Sequence, residues 1–364
     1  MNRTTVGLIT ACLCLVSAHM STADAKESGD AFFPGNKDRH LREAAKYRLE
    51  MNNDALFDSD NQFSNGWSFQ IHTPVADSWD AVEGPTDYMK RFLGWLPTMT
   101  ADDHKYRYAL SIGQIIQTPD DIENPNLIKE DVPYAGVLTV RGSGIAFTDK
   151  DFRGTELVIG VVGRPSVGEQ TQNLIHNIIG SNIAQGWDNQ LETEPVFNVN
   201  YMRKKKFYQK GELARNSFDA AINGDAHLGT LYTAAGASLQ TRFGSNMPRG
   251  FGYRSDPVGR FMTYDATLAP LRPKSRSIYG TFELGVAFIA HNLLLDGNVF
   301  RDTPHSIEKE DVVALATLGF HYERPSWGVH LDINVTTDVV DTSQVPAAPD
   351  ANNNFGTLMI EWRI

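Results

Sequence analysis

Apolar and polar residues alternate with a period of two through most of the chain, in short stretches bounded by Gly, Pro, Asn and Asp. The end of the chain shows it most cleanly: Leu358, Ile360, Trp362 and Ile364 alternate with Met359, Glu361 and Arg363. Just before, Trp327, Val329, Leu331, Ile333 and Val335 alternate with Gly328, His330, Asp332, Asn334 and Thr336. Earlier, Ile278, Phe282, Leu284, Val286 and Phe288 share one face, with Thr281 and Glu283 on the other. The pattern predicts twelve strands, at 47–57, 64–73, 106–118, 134–147, 156–164, 195–208, 216–226, 229–243, 276–291, 311–323, 327–338 and 355–364. A strand with one apolar and one charged face fits lipid outside and a polar lumen inside. A soluble β-sandwich alternates as well. An export segment, a strand ending on the last residue and an even strand count favour an all-β chain forming a transmembrane antiparallel β-barrel.

With both termini in the periplasm, the connections near 58–63, 119–133, 165–194, 292–310 and 339–354 face outward. Those near 74–105 and 244–275 face the periplasm and are long for periplasmic turns. The 165–194 connection carries a helix signal. Its apolar residues fall at 174, 175, 178 and 179, and its polar ones at 172, 173, 176 and 177. At about 100° per residue these form two opposite faces, and Gly180 is a natural stop. An extracellular loop is thus expected to hold a short amphipathic helix, with His176 at the middle of its polar face and Asn173 one turn before it. A lone histidine on such a face is ordinarily just solvated.

Arg3, the apolar run Val6–Val16 and Ala23-Asp24-Ala25 read as a signal peptide over 1–25, leaving 26–364 as the barrel domain. The run is shorter than the roughly 20 residues a spanning helix needs. Ile9-Thr10-Ala11-Cys12 has the form of a lipoprotein box, but cleavage there would leave a very short apolar core before it. Both cysteines, Cys12 and Cys14, lie inside the leader, so disulfides and thiol chemistry are not expected in the mature chain. The net charge of −11 argues against nucleic-acid partners.

A second polar cluster lies on the first hairpin, at Asn52-Asn53-Asp54 and Phe63-Ser64-Asn65-Gly66. If Trp67, Phe69 and Ile71 face lipid, then Ser64, Ser68, Gln70 and His72 face the lumen. The same alternation puts Asp54 inside and Asn53 outside, unless the strand is bulged. A carboxylate in that position can simply line a pore.

These segments together resemble the outer-membrane lipid A 3′-O-deacylase family. The family's Asn-Asp pair and Tyr-Thr-x-Gly hairpin appear as Asn53-Asp54 and Phe63-Ser64-Asn65-Gly66. Further matches are Gln117-Thr118-Pro119 and Asp131-Val132-Pro133-Tyr134-Ala135-Gly136. The most specific block runs from Ile159-Gly160-Val161-Val162-Gly163 through Gln172-Asn173-x-x-His176 to Gly186-Trp187-Asp188-Asn189-Gln190 and Glu194-Pro195. Leu295-Asp296-Gly297-Asn298 and Phe300-Arg301-Asp302 complete a likeness that spans the mature chain.

The resemblance implies a twelve-stranded barrel and chemistry similar to that of calcium-dependent phospholipases. His176 matches the catalytic histidine, Asn53 and Asp54 the first-strand pair, and Ser64 the hairpin threonine. It also implies Ca2+ as cofactor, with Asp54 as a metal ligand, and lipid A of lipopolysaccharide as substrate for a monomer surrounded by outer-membrane lipids, its site facing the extracellular leaflet. Ester hydrolysis needs a base, which histidine supplies near neutral pH, and a positive partner for the oxyanion, which a cation held by hard oxygen donors supplies. Some residues depart from the family pattern. Ser64 lacks the threonine methyl, Phe63 lacks the tyrosine hydroxyl, and Lys129 is a poor counterpart of the family's loop lysine. An outer-membrane phospholipase and a non-catalytic porin-like barrel are the alternative readings.

Overall fold

The computed structural model describes residues 41–54, 62–84, 86–210, 217–254, 262, 264–341, 343 and 351–364. The expected leader, 1–25, lies outside the described residues, as does the hairpin tip at 55–61. Twelve strands form the wall: β1 (Lys46–Asn53), β2 (Gln62–His72), β3 (Lys105–Thr118), β4 (Ala135–Phe147), β5 (Asp151–Val162), β6 (Glu194–Lys210), β7 (Ser217–Gly229), β8 (Tyr232–Ser245), β11 (Ser277–Asn292), β12 (Val312–Glu323), β13 (Trp327–Thr336) and β14 (Phe355–Arg363). Each pairs antiparallel with its neighbour, and β1 closes on β14, with Lys46 opposite Arg363 and Asn53 opposite Gly356. Among the described residues, two three-residue strands, β9 (Arg249–Phe251) and β10 (Ala266–Leu268), pair with each other and not with the wall. The expected twelve-strand barrel is what forms, and the expected loop helix is present at Gly168–Ile179.

The alternation sorts side chains as the sequence indicates. Leu49, Phe69, Ile112, Val140, Ile159 and Phe197 form one register row across β1 to β6, and all point outward. Five of the six are more than a third exposed; Phe69 is half-buried. Near the end that carries the termini, Tyr47 stacks on Trp362 (6.1 Å between ring centroids) and Tyr322 packs on Trp327 (5.5 Å), as in an aromatic girdle.

The two long connections at the termini end do different things. The segment between β8 and β11 turns into the lumen. Its β9–β10 hairpin presents Phe251 and Tyr264 to Phe152 on the inner wall, at 6.0 and 4.8 Å between centroids. Asp265, fully buried, meets Lys46 at 2.9 Å, Arg48 at 2.9 Å and also Arg107. Lys204 Nζ donates to the Tyr264 hydroxyl at 2.8 Å, and Arg242 donates to the Gly250 carbonyl at 2.9 Å. The segment between β2 and β3 instead folds back over the outer wall. Trp79 and Val82 cover Tyr106 and Tyr108, which share the outward parity of β3 with Leu110 and Ile112, and a helix (Thr86–Leu93) leads to the exposed Phe92 and Trp95. At the opposite end, an apolar cluster that includes Val137, Leu231, Leu293, Leu295, Val339 and Phe355 fills the mouth of the barrel.

Removing one partner from a buried ion network leaves charges that nothing compensates. Asp265→Ala leaves Lys46 and Arg107 without their carboxylate and Arg48 with Glu361 alone, and is expected to destabilise the barrel by about 3–5 kcal/mol. Urea unfolding in detergent, followed by loss of the fast-migrating form on unboiled gels, measures it. A change below about 1 kcal/mol, the size of an exposed pair, would show that the plug is held without the Asp265 ion network, by its aromatic contacts and the Lys204–Tyr264 and Arg242–Gly250 hydrogen bonds.

Candidate functional site

After β5, Gly163 turns the chain with φ 91°, and Arg164–Ser166 makes one tight helical turn. Val167 takes a left-handed conformation, φ 54°, immediately before the helix Gly168–Ile179. Gly180, φ 77°, ends that helix, where its N–H and that of Ser181 both donate to the His176 carbonyl, at 2.8 and 3.0 Å. His176 therefore lies in the last turn.

The helix is seated on the outside of the barrel, against β3 and β4. Gly136 has the same outward parity as Leu138 and Val140, and a Cβ there would lie 2.2 Å from Ser166 Oγ and 3.1 Å from Gly168 Cα. Only glycine lets the loop approach this closely. Gln114, also outward, donates to the Ser166 carbonyl at 2.6 Å and accepts from Trp67 Nε1 at 2.9 Å. Trp187 Nε1 donates to Gln172 Oε1 at 2.8 Å, with both side chains buried, and its ring packs on Tyr134 at 5.3 Å. Ile116, Ile122 and Ala184 complete this apolar seat. Burial pushes the Tyr134 hydroxyl up to about 12 and raises the Asp131 carboxyl, although Asp131 accepts from the Asp120 and Val132 N–H groups at 2.9 and 2.7 Å.

The seat fixes the rotation of the helix, and its outcome differs from the simple reading of polar out and apolar in. Gln172 is buried, and Asn173, Ile175 and His176 are half-buried, while Leu174 is 60 % and Ile178 74 % exposed. His176 is thus partly covered and has a defined partner, where the sequence alone suggested a merely solvated ring. Its Nδ1 meets the Asn182 carbonyl. A carbonyl only accepts, so Nδ1 carries the proton and Nε2 is left as the basic nitrogen. One turn earlier, Asn173 Oδ1 is buried with no hydrogen-bond partner among the described residues.

The first-hairpin residues divide between the two faces of the wall. Asn53 pairs with Asn65, Asn65 with Ile116, and Ile116 with Gly136, so this row shares the outer face on which the helix sits. Asn53 is half-exposed, as its outward parity requires. Asp54, one residue past β1 and at a bend, is buried, in keeping with its inward parity. The register continued by one step sets Asp54 across from Ser64, where β2 is bulged relative to β3. The Ser64 backbone belongs to β2, while its side chain lies outside the described ones. Lys129 is exposed in the β3–β4 connection.

The late motif has a structural role. Asn298 brackets Glu192 through two hydrogen bonds, 2.9 and 2.8 Å, and the buried Glu194 carboxylate accepts from Val299 and Phe300 N–H at 2.8 and 2.9 Å. What sequence reasoning missed is the set of residues that hold the helix to the wall, namely Gln114 and the Gln172–Trp187 pair. An apolar outward row interrupted by Gln114 was the available signal.

The model of a family described as "Outer membrane protein LpxR" matches residues 8–364. Among solved structures, LpxR from Salmonella typhimurium aligns with a TM-score of 0.66 at 15% identity, covering 88% of this chain and 100% of that one. The translocator domain of autotransporter NalP from Neisseria meningitidis aligns with a TM-score of 0.38 at 9% identity, covering 100% of each chain. Comparison with curated proteins found no match. With nearly its whole length matched by one family model, the chain belongs to the LpxR family of outer membrane proteins.

Proposed function

We propose that the protein hydrolyses the 3′-O-linked acyl (acyloxyacyl) ester of lipid A in the outer leaflet, in a calcium-dependent reaction. The observation that carries this reading is the placement of His176. It sits on a helix held against the outer wall of the barrel, its Nδ1 bonded to a carbonyl and its Nε2 available as a base. A site on the outer wall is open to a lipid substrate from the side, and the filled lumen leaves little room for one within.

In the proposed reaction, His176 Nε2 takes a proton from a water molecule, whose oxygen attacks the ester carbonyl. The tetrahedral intermediate collapses with cleavage of the bond to the sugar oxygen, and the imidazolium returns the proton to that oxygen. The released acid and the free 3′-hydroxyl account for every atom. Calcium, when bound, polarises the ester carbonyl and stabilises the oxyanion. The donors near the rim are the hard oxygens it prefers. Asn53 and the buried Oδ1 of Asn173, both on the face where the helix sits, would hold it, and Asp54 would reach it from the inner side of the rim, one residue past the end of β1. Among the described residues no three His, Cys, Asp or Glu side chains gather at one point, so backbone carbonyls and water would supply the remaining ligands. Ser64, at the start of a strand and without a Gly-x-Ser-x-Gly elbow, orients the substrate or the water.

His176→Ala is expected to lower hydrolysis by about 10²–10⁴-fold, the usual worth of a general base, while the barrel stays heat-modifiable. Mass spectrometry of lipid A from expressing cells reads this directly, and unchanged deacylation in the variant would remove the histidine from the mechanism.

Chelation of calcium is expected to abolish turnover and re-addition to restore it. Full activity in excess chelator would eliminate the cation but leave the base untested by that result alone, so the His176→Ala comparison is run beside it.

Ser64→Thr is expected to stay active, and intact-mass analysis of quenched reactions should find no acyl adduct. An acyl group on Ser64 would instead make it the nucleophile of a covalent route.

A further inference from the structure

The loop helix carries an apolar ridge that its own fold leaves uncovered. Leu174 is 60 % exposed and Ile178 74 %, one turn apart on one side, and Val167 just before the helix is 46 % exposed. Gln170, one turn before Leu174 in the same row, and Asn177 beside it are also exposed, while Gln172 and His176 lie on the covered side. Two bulky apolar groups exposed together on a rigid helix call for a partner.

Continuity with the wall of the barrel identifies that partner. The helix begins over Gly136 and Gln114 on the outer face. Two residues along the strand from Gln114 lies Ile112, and four from Gly136 lies Val140, in the same exposed apolar row as Ile159. At about 3.3 Å per residue these offsets are roughly 7 and 13 Å. The helix therefore stands at the edge of the lipid-facing band, where acyl chains give way to headgroups. We infer that Leu174 and Ile178 insert between acyl chains of the surrounding leaflet, and that Gln170 and Asn177 meet the headgroup layer. The helix becomes an interfacial wedge that sets the depth of His176 in the membrane. The insertion stands apart from the deacylase reading; its consequence for turnover rests on that reading.

Site-directed spin labelling tests the insertion without any catalysis. The two native cysteines, Cys12 and Cys14, fall in the expected leader, so single cysteines can be placed in the exported chain. Nitroxide at Leu174→Cys and Ile178→Cys is compared in phosphatidylcholine vesicles with Ile159→Cys on the lipid face and Glu123→Cys in an exposed connection. The two helix positions are expected to collide more with oxygen than with a water-soluble nickel chelate, as Ile159→Cys does. Collision ratios matching Glu123→Cys would overturn the inference. In a second arm, Leu174→Ser/Ile178→Ser is expected to lose about tenfold or more in hydrolysis of lipid A embedded in vesicles and little in detergent micelles. Equal loss in both would mean that the ridge only supports the helix. A wild-type protein without activity would end the deacylase reading and leave the labelling result standing.

Discussion

In hydrocarbon every backbone N–H and C=O must find a partner within the protein, and closure of β1 on β14 is how this chain meets that demand. The remaining architecture follows from the closure. A sealed wall has no free edge to which a ligand strand could be added. Chemistry must come from connections, from the lumen or from residues at the rims. A barrel of twelve strands is also wider than one its own side chains can fill. The chain adds two different fillings, the β9–β10 hairpin toward the termini end and the Leu293–Leu295 apolar cap at the other.

The polar filling is held by charge. Asp265 bridges three cations from β1 and β3, while Glu323 receives Arg42 at 2.7 Å and Arg363 at 2.7 Å. Burying such groups is costly, and a set of apolar residues of similar volume would often be at least as stable. What the ions supply is register. An apolar plug could slide along a smooth wall, whereas Asp265 has only one position where Lys46, Arg48 and Arg107 converge. A filled interior in turn leaves little room for a bulky ligand within, which is one ground for the proposed site on the outer wall.

Most of the wall was legible because a strand between lipid and lumen reports its environment at every second residue. Leu331, Ile333 and Val335 are exposed, and His330, Asp332 and Asn334 buried, as their parity predicts. The loop helix was legible for a related reason, since Gly180 and the spacing of 172–179 mark it. Its rotation was not. Periodicity gives two faces but cannot say which meets the protein when the partner is a wall already facing lipid, and here hydrogen bonding decides. Gln172 must satisfy Trp187, and once that pair is formed Leu174 is left outside. The two long connections were equally opaque. Their length was visible, but a plug in the lumen and a cover on the outer wall depend on contacts as remote in sequence as Arg48 with Asp265 or Trp79 with Tyr106. Ser64 and Asp54 fall where the register of β1 and β2 ends and β2 is bulged, the point at which parity arguments lose their hold.

The arrangement also explains why a short helix, and not another strand, carries the histidine. A strand in the wall can offer a side chain only to the lumen or straight into lipid, and an imidazole in bare hydrocarbon would be cut off from water. A helix laid along the outer wall makes a third environment between itself and the barrel. One side of it can be apolar toward lipid, while the other keeps Asn173 and His176 among polar groups and backbone carbonyls. Gly136 and Gly168 make the approach close enough, and the Gln114–Ser166 bond ties the start of the loop to the wall. The position of His176 is then determined by how the helix packs on β3 and β4, so under the proposed function substitutions at Gly136, Gln114 or Trp187 would bear on the chemistry without touching the substrate.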